Sequence, residues 1–294
     1  MKIIKLMGGL GNQMFQYSFS QWLEEPVLFD VSWFDSEVRF KNLSFLKLYI
    51  NDFNVKTDIA SEKQIKECLK ESETAKFLNK IGRNIRLKFL PSNRVYEKVI
   101  NRFQPNLKTV KENVYYEGYY QSVKYLEKIR KNLLKIFVPR NTPEEQNLKL
   151  LDSIKSSESI AVSIRYSTDY QQLGWAIDKN FYIKAMGQIA EQVENPHFYI
   201  FTDNKEWSMS FLDNLKYNIT YANSWDEKCG YSCGIYLMSQ CNHNIIANST
   251  YSWWGAYLND NPEKIVYFPK KWLPKTSFPK TTYEELFLND WISL

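Results

Sequence analysis

The chain is poor in the residues that build metal centres and covalent frameworks. It has four cysteines, Cys68, Cys229, Cys233 and Cys241, and two histidines, His197 and His243, in 294 residues. No CxxC pair occurs, so no zinc site of ordinary spacing is expected, and a disulfide framework is not expected in a chain this long. No segment approaches the length of apolar sequence that a membrane-spanning helix needs. The start, MKIIKLMGGLGNQ, carries a short apolar stretch that breaks at Gly8, which argues against a signal peptide or anchor. There is no internal repeat and no low-complexity segment. These absences predict a soluble protein of a reducing compartment, the cytoplasm.

Apolar residues make up 44% of the chain and aromatics 16%, ample for real cores. The surplus of Tyr and Trp suits either stacking on sugars and bases or half-buried packing. Net charge is only +5, but nine basic residues between Lys80 and Lys111 face a single acid, Glu97. Such a stretch suits an anionic membrane surface, an anionic substrate or nucleic acid, or is simply a solvated face.

Strand and helix patterns alternate, most clearly in the second half. Strands are expected at 159–165, 197–203, 218–223, 244–248 and 264–269, with helices at 180–194, 205–215, 230–241 and after Asn248. The first half opens with strand 2–7, helix 12–24 and strand 27–30, becomes irregular through 39–111, and returns to strand at 114–119. A long helix is expected over 121–137 and another at 283–294, packing back across a cleft. With Pro139 and Pro143 marking a linker, the prediction is α/β: two Rossmann-like domains, 1–140 and 141–294, facing across a cleft, the second a doubly wound parallel sheet.

Three strand ends carry candidate chemistry. In HNIIANSTYSWWGAY, from His243 to Tyr257, an apolar strand runs into Asn248, Ser249, Thr250 and Ser252, residue types that cap helices. A helix N-terminus at a strand end suits an anion, although these residues can also serve as a cap alone. In GGLGNQMFQY, Gly9 and Gly11 allow a tight turn and close ligand approach, and Asp30 ends the next strand 19 residues beyond Gly11. That imitates a dinucleotide fingerprint but lacks its third glycine. In SIRYSTDY, Arg165 is the one charged group of its strand, suited to bidentate phosphate binding or to a salt bridge, and Asp169 follows in a loop.

Together and in this order the three segments resemble the alpha-1,2-fucosyltransferases of glycosyltransferase family 11. FDVSWF, YYEGYYQS and FYIFTDNKEW also fit the family pattern, so the resemblance spans nearly the whole chain. It implies a GT-B-like fold and inverting transfer of L-fucose from GDP-fucose to the 2-hydroxyl of a terminal galactose, without metal or other cofactor. There is no Asp-x-Asp, so Arg165 and the helix start at Ser249–Ser252 would neutralise the diphosphate, with Ser163 on the same strand. Asn12 would lie near the fucose. Ser163 and Tyr166 replace a family His and Arg, and Gly234 replaces an Asp suited to guanine, for which Asp203 is a substitute. Asp169 and Glu117, then Asp30, are the candidate bases.

The acceptor would be a galactose-terminated oligosaccharide, free or lipid-linked, such as an O-antigen. The basic stretch Lys80–Lys111 would provide a peripheral membrane contact, and no nucleic-acid partner is expected. Acceptor specificity would lie in 39–111 and in the loop 171–179, where Trp175 could stack on a sugar. A non-catalytic glycan-binding protein and a nicotinamide oxidoreductase are the alternative classes.

Overall fold

The structure, a computed structural model, describes residues 1–35, 47–69, 93–109, 111–273 and 283–294. Two parallel sheets organise it. The first is four-stranded, with β1 (Lys2–Lys5), β2 (Val27–Asp30), β3 (Arg94–Tyr96) and β4 (Val114–Glu117) in the order β2-β1-β4-β3. The second is six-stranded and runs β10-β9-β8-β5-β6-β7, from β5 (Ser159–Ile164), β6 (His197–Thr202), β7 (Asn218–Ala222), β8 (His243–Ile245), β9 (Val266–Phe268) and β10 (Ile292–Ser293). Every pairing in both is parallel. The α/β reading therefore holds.

Strand order locates the ligand crevices. In the second sheet the chain steps outward from β5 through β6 to β7, then returns to the other side of β5 for β8, β9 and β10. This is the doubly wound order whose ligands sit beyond the carboxyl ends of the two strands flanking the reversal. Those strands are β5 and β8, so the crevice opens at Arg165 and at Asn248. The same reversal in the first sheet falls between β1 and β4, at Gly8–Asn12 and Glu117–Gln121.

Two helices join these crevices. Helix α1 (Leu10–Leu23) leaves β1 through Gly8, whose φ of +78° favours glycine. The helix that follows β8 spans Thr250–Leu258. Its Trp253 and Trp254 are fully buried, and both pack on Phe15 of α1, at centroid distances of 4.7 and 4.8 Å. The Trp254 indole donates to the Gly11 carbonyl at 2.9 Å. One apolar core therefore runs from Ile4 and Phe19 beside the first sheet to Trp253 and Val266 beside the second.

Several expected elements differ. Residues 121–137 do not form one helix: 3-10 turns at Val123–Tyr125 and Glu127–Ile129 precede a helix only at Arg130–Ile136. The chain there is held from outside, with the Val123 amide on the Glu285 carbonyl and the Tyr125 hydroxyl accepting the Gln104 amide. The segment 283–294 is not a helix either. It gives the edge strand β10, while Glu285 reaches Lys124, Ser122 and the Phe103 amide. Asp169 lies not in a loop but in the first turn of a short helix, Thr168–Gln172. Residues 39–46, 70–92 and 110 of the irregular region lie outside the described residues, and with them four of the nine basic residues, Lys80, Arg83, Arg86 and Lys88. Among the described residues, no helix is long and apolar enough to cross a membrane.

Gly11 is the closest point between the two helices: a Cβ there would lie 2.5 Å from the Thr250 carbonyl carbon and 2.6 Å from its hydroxyl. Gly11→Ala should thus destabilise the protein by about 1 to 3 kcal/mol despite alanine's better helix propensity. Urea denaturation reads this directly, and an unchanged or raised midpoint would contradict the contact.

Candidate active site

The two helix N-termini meet at the junction of the sheets, and neither first turn carries an acid. Gly9 caps α1 without a side-chain hydrogen bond, while Ser249 caps the second helix by accepting the Tyr251 amide at 3.3 Å. First-turn amides have no intrahelical acceptors, and each end carries roughly half a positive charge. Two such ends side by side, without a compensating carboxylate, make a site for an anion.

Arg165 follows β5, the strand paired with β8, and the Tyr170 ring under it donates its hydroxyl to the Asn248 carbonyl. Its Nε lies 3.1 Å from Asp203 Oδ2, one of its terminal nitrogens lies 3.8 Å from Asp169, and its guanidinium carbon is 4.7 Å from the centre of the Tyr170 ring. About a third of the side chain is exposed (35%). The remaining terminal nitrogen has no acceptor among the described residues, so a pre-oriented guanidinium edge is left for a ligand. Burial raises the Tyr170 phenol, which keeps the ring under Arg165 neutral.

Asn12 closes the site from the first sheet. Its Oδ1 accepts the Thr250 hydroxyl at 3.1 Å and the Gln121 amide at 2.9 Å. The turns behind it are fixed by buried amides. Gln13 donates to the Gly8 and Lys47 carbonyls and accepts the Tyr49 and Ile50 amides. Gln16 accepts the Met7 amide and donates to the Gly118 carbonyl, tying β1 to β4.

The remaining sequence candidates divide by what they touch. Asp203 accepts the Tyr166 amide at 2.6 Å and pairs with Arg165, while Asn204, not Asp203, caps the next helix. Ser163 is buried within β5. Asn248 donates to the Trp175 and Trp272 carbonyls and is 3% exposed, so it staples loops that border the crevice. Ser252 is fully buried, its hydroxyl on the Ala247 and Ser249 carbonyls. The clearance beside Gly11 is filled by Thr250, so the missing side chain there permits a close contact between helices. The space beside Gly234 is likewise taken: a Cβ there would lie 2.3 Å from the Tyr251 hydroxyl, which donates to the Tyr231 carbonyl.

Each candidate base already has a partner. Asp169 faces Arg165. Glu117 sits 2.8 Å from Lys5 and 3.7 Å from Arg94. Asp30 accepts the Tyr115 hydroxyl at 2.5 Å and the Ser32 amide at 2.9 Å.

Sequence reading gave no role to Gln121, although the segment YYEGYYQS contains it, because its partner is distant in sequence. It also missed Glu97 as anything but a lone acid. Glu97 accepts the Tyr119 and Tyr120 amides beside the first crevice, and burial pushes its carboxyl up to about 7. The fold further brings Asp226, Cys229 and Cys233 within 4.8 Å, a cluster that spacing alone did not suggest. Asp226 is filled by the Glu144, Lys228 and Cys229 amides and the Asn147 side chain, and burial pushes the Cys233 thiol up to about 12. That trio is a hydrogen-bonded staple.

Parallel sheets joined through two acid-free helix N-termini, with Arg165 at a neighbouring strand end, form a crevice suited to an anionic ligand. The family model for glycosyl transferase family 11 matches residues 1–294, and the chain belongs to that family. The O-antigen biosynthesis glycosyltransferase WbnK of Escherichia coli is 28% identical, over 98% of this chain and 99% of that protein. An alpha-1,2-colitosyltransferase of the same species is 26% identical, over 93% and 92%. Human galactoside alpha-(1,2)-fucosyltransferase 1 shares 28% identity over 40% of this chain and 32% of its own. Among solved structures, the fucosyltransferase NodZ from Bradyrhizobium aligns with a TM-score of 0.45 and 11% identity, covering 86% of this chain and 91% of that one.

Glu97 gives a pH dependence whose sign is fixed. The fold holds a proton that the unfolded chain, with an ordinary value near 4.5, has already released, so stability falls as pH rises from there to about 7. In Glu97→Gln, the melting temperature should fall less between about pH 5 and about pH 8 than in the parent. Parallel pH profiles of the two proteins would refute the assignment.

Proposed function

We propose that the protein is an inverting fucosyltransferase. It transfers L-fucose from GDP-fucose to the 2-hydroxyl of a terminal galactose on a surface glycan such as an O-antigen. The observation that supports this reading is the contact of Asn12 with Thr250 at an acid-free helix start, with Arg165 at the end of the strand beside β8. The names of the colitosyltransferase and the human fucosyltransferase support an alpha-1,2 linkage, and the second of them supports fucose. Residues 141–294 hold the nucleotide sugar and residues 1–140 the acceptor.

In the reaction the acceptor oxygen forms a bond to the anomeric carbon while the bond from that carbon to the phosphate oxygen breaks, and GDP departs with the electron pair. The developing charge falls on the diphosphate, where the Arg165 edge and the first-turn amides stabilise it with groups already in place. This is chemistry that needs no metal, because protein cations and dipoles do the neutralising. With Asp169, Glu117 and Asp30 each engaged, the acceptor proton leaves late and passes to solvent water, after the leaving group has largely departed. Work at the cytoplasmic face of a membrane follows from a lipid-linked acceptor, with Lys80–Lys111 as the peripheral contact.

Arg165→Ala should lower kcat by about 100- to 1,000-fold with an unchanged melting temperature, and Arg165→Lys should recover part of the loss. A transfer assay with GDP-fucose and a galactoside panel measures this, and a near-normal rate in the alanine variant would remove the assignment. The same assay after chelation and dialysis should give the full rate. Activity restored only by added metal would overturn the metal-free reading.

A further inference from the structure

We infer that Gln121 and Thr250 are positioning residues that set which end of the Asn12 amide faces the crevice, so that Asn12 presents its NH2 group to an oxygen of the glycosyl donor. The inference rests on the proposed function for the identity of that donor, but its geometry stands independently. Asn12 Oδ1 receives two hydrogen bonds, from Gln121 Nε2 at 2.9 Å and from the Thr250 hydroxyl at 3.1 Å. An amide oxygen has two lone pairs, and both are now used. The Nδ2 has no acceptor among the described residues. It lies against Gly8, where a Cβ would come within 2.6 Å of it. The amide is therefore oriented with its donor end unspent.

Each anchor is itself fixed. Gln121 is 8% exposed and follows Tyr120, whose φ of +55° is the left-handed region that non-glycine residues seldom occupy. Tyr120 is held there by its ring, stacked on Phe19 of α1 at 3.8 Å, and by its amide on Glu97. A strained backbone kept in place by burial turns Gln121 toward Asn12. Thr250 is fixed by its contact with Gly11. The two anchors come from opposite crevices, one after β4 and one after β8, so Asn12 is oriented only while the two sheets sit together at this junction. Free rotation of the amide would present its oxygen to an anionic donor half the time, and an oxygen there repels the charge that Arg165 attracts.

Gln121→Glu separates this role from general packing, because a carboxylate has nearly the same shape yet can only accept. Beside it the Asn12 amide turns over and offers its oxygen to the crevice. We expect kcat to fall about 100-fold while GDP affinity, read by calorimetry, changes less than about threefold. We also expect activity to recover as pH is lowered, since a protonated carboxyl donates again. Gln121→Ala removes one anchor without reversing the amide and should lose only about tenfold. A Glu variant that is folded and no worse than the Ala variant, or that shows no recovery at low pH, overturns the inference. A readout free of turnover is the side-chain amide NMR signal of Asn12, assigned by its loss in Asn12→Asp. Gln121→Glu should shift it in the apo protein, and an unmoved signal overturns the inference. An unmodified protein that transfers nothing from GDP-fucose, with the amide signal shifting as expected, would instead count against the proposed function alone.

Discussion

The contact between Gly11 and Thr250 is the constraint on which the rest depends. It brings the N-termini of two helices, from different sheets, to within van der Waals distance. Their positive ends therefore lie side by side with no first-turn acid to offset them. Such an arrangement is electrostatically unfavourable in the empty protein and becomes favourable when an anion arrives. The apolar packing of Phe15 against Trp253 and Trp254 supplies the free energy that holds the two ends together. Catalytic electrostatics and core packing are thus properties of the same few residues: the indole that seals the core, Trp254, also binds the Gly11 carbonyl.

The second half was legible because its central strands, β5, β6 and β8, are buried on both faces. Runs such as SIAVSI and HFYIFT read as continuous apolar segments between polar helices, and their ends located Arg165 and Asp203 correctly. The Asn248–Ser252 block was legible as a strand feeding a capped helix for the same reason. The individual roles of its side chains were not, because Asn248 and Ser252 look alike in sequence to residues that meet a ligand and differ only in being turned inward. The segment 121–137 was misread because its apolar periodicity is helical, while contacts with Glu285 and Gln104, remote in sequence, hold it in short turns. Gly11 shows a further limit. Its missing side chain reads as clearance for a ligand, and the structure puts the Thr250 backbone in that space, a neighbour no local pattern reveals. Gln121 was invisible for a related reason: its meaning lies wholly in Asn12, more than a hundred residues away.

Charge in the site is arranged in layers. Two aspartates and a neutral tyrosine hold Arg165 by three of its sides, leaving one edge free. The acids thereby convert a flexible cation into a directional one, so what the site loses in net positive charge it gains in geometry. On the first sheet, Lys5 and Arg94 face Glu117, and Asp30 accepts the Tyr115 hydroxyl, so two cations and two acids share that side. Under the proposed function, a neutral hydroxyl would approach this wall and a diphosphate would rest on the other.

The Tyr251 hydroxyl fills the space that a side chain at Gly234 would occupy, and each excludes the other. The Ser224 carbonyl oxygen and Cα, 2.9 and 3.0 Å from where that Cβ would stand, close the same space from the backbone side. An acid at position 234 would therefore have to displace both a phenol and a stretch of main chain, so exchange at 251 alone would not make room for it.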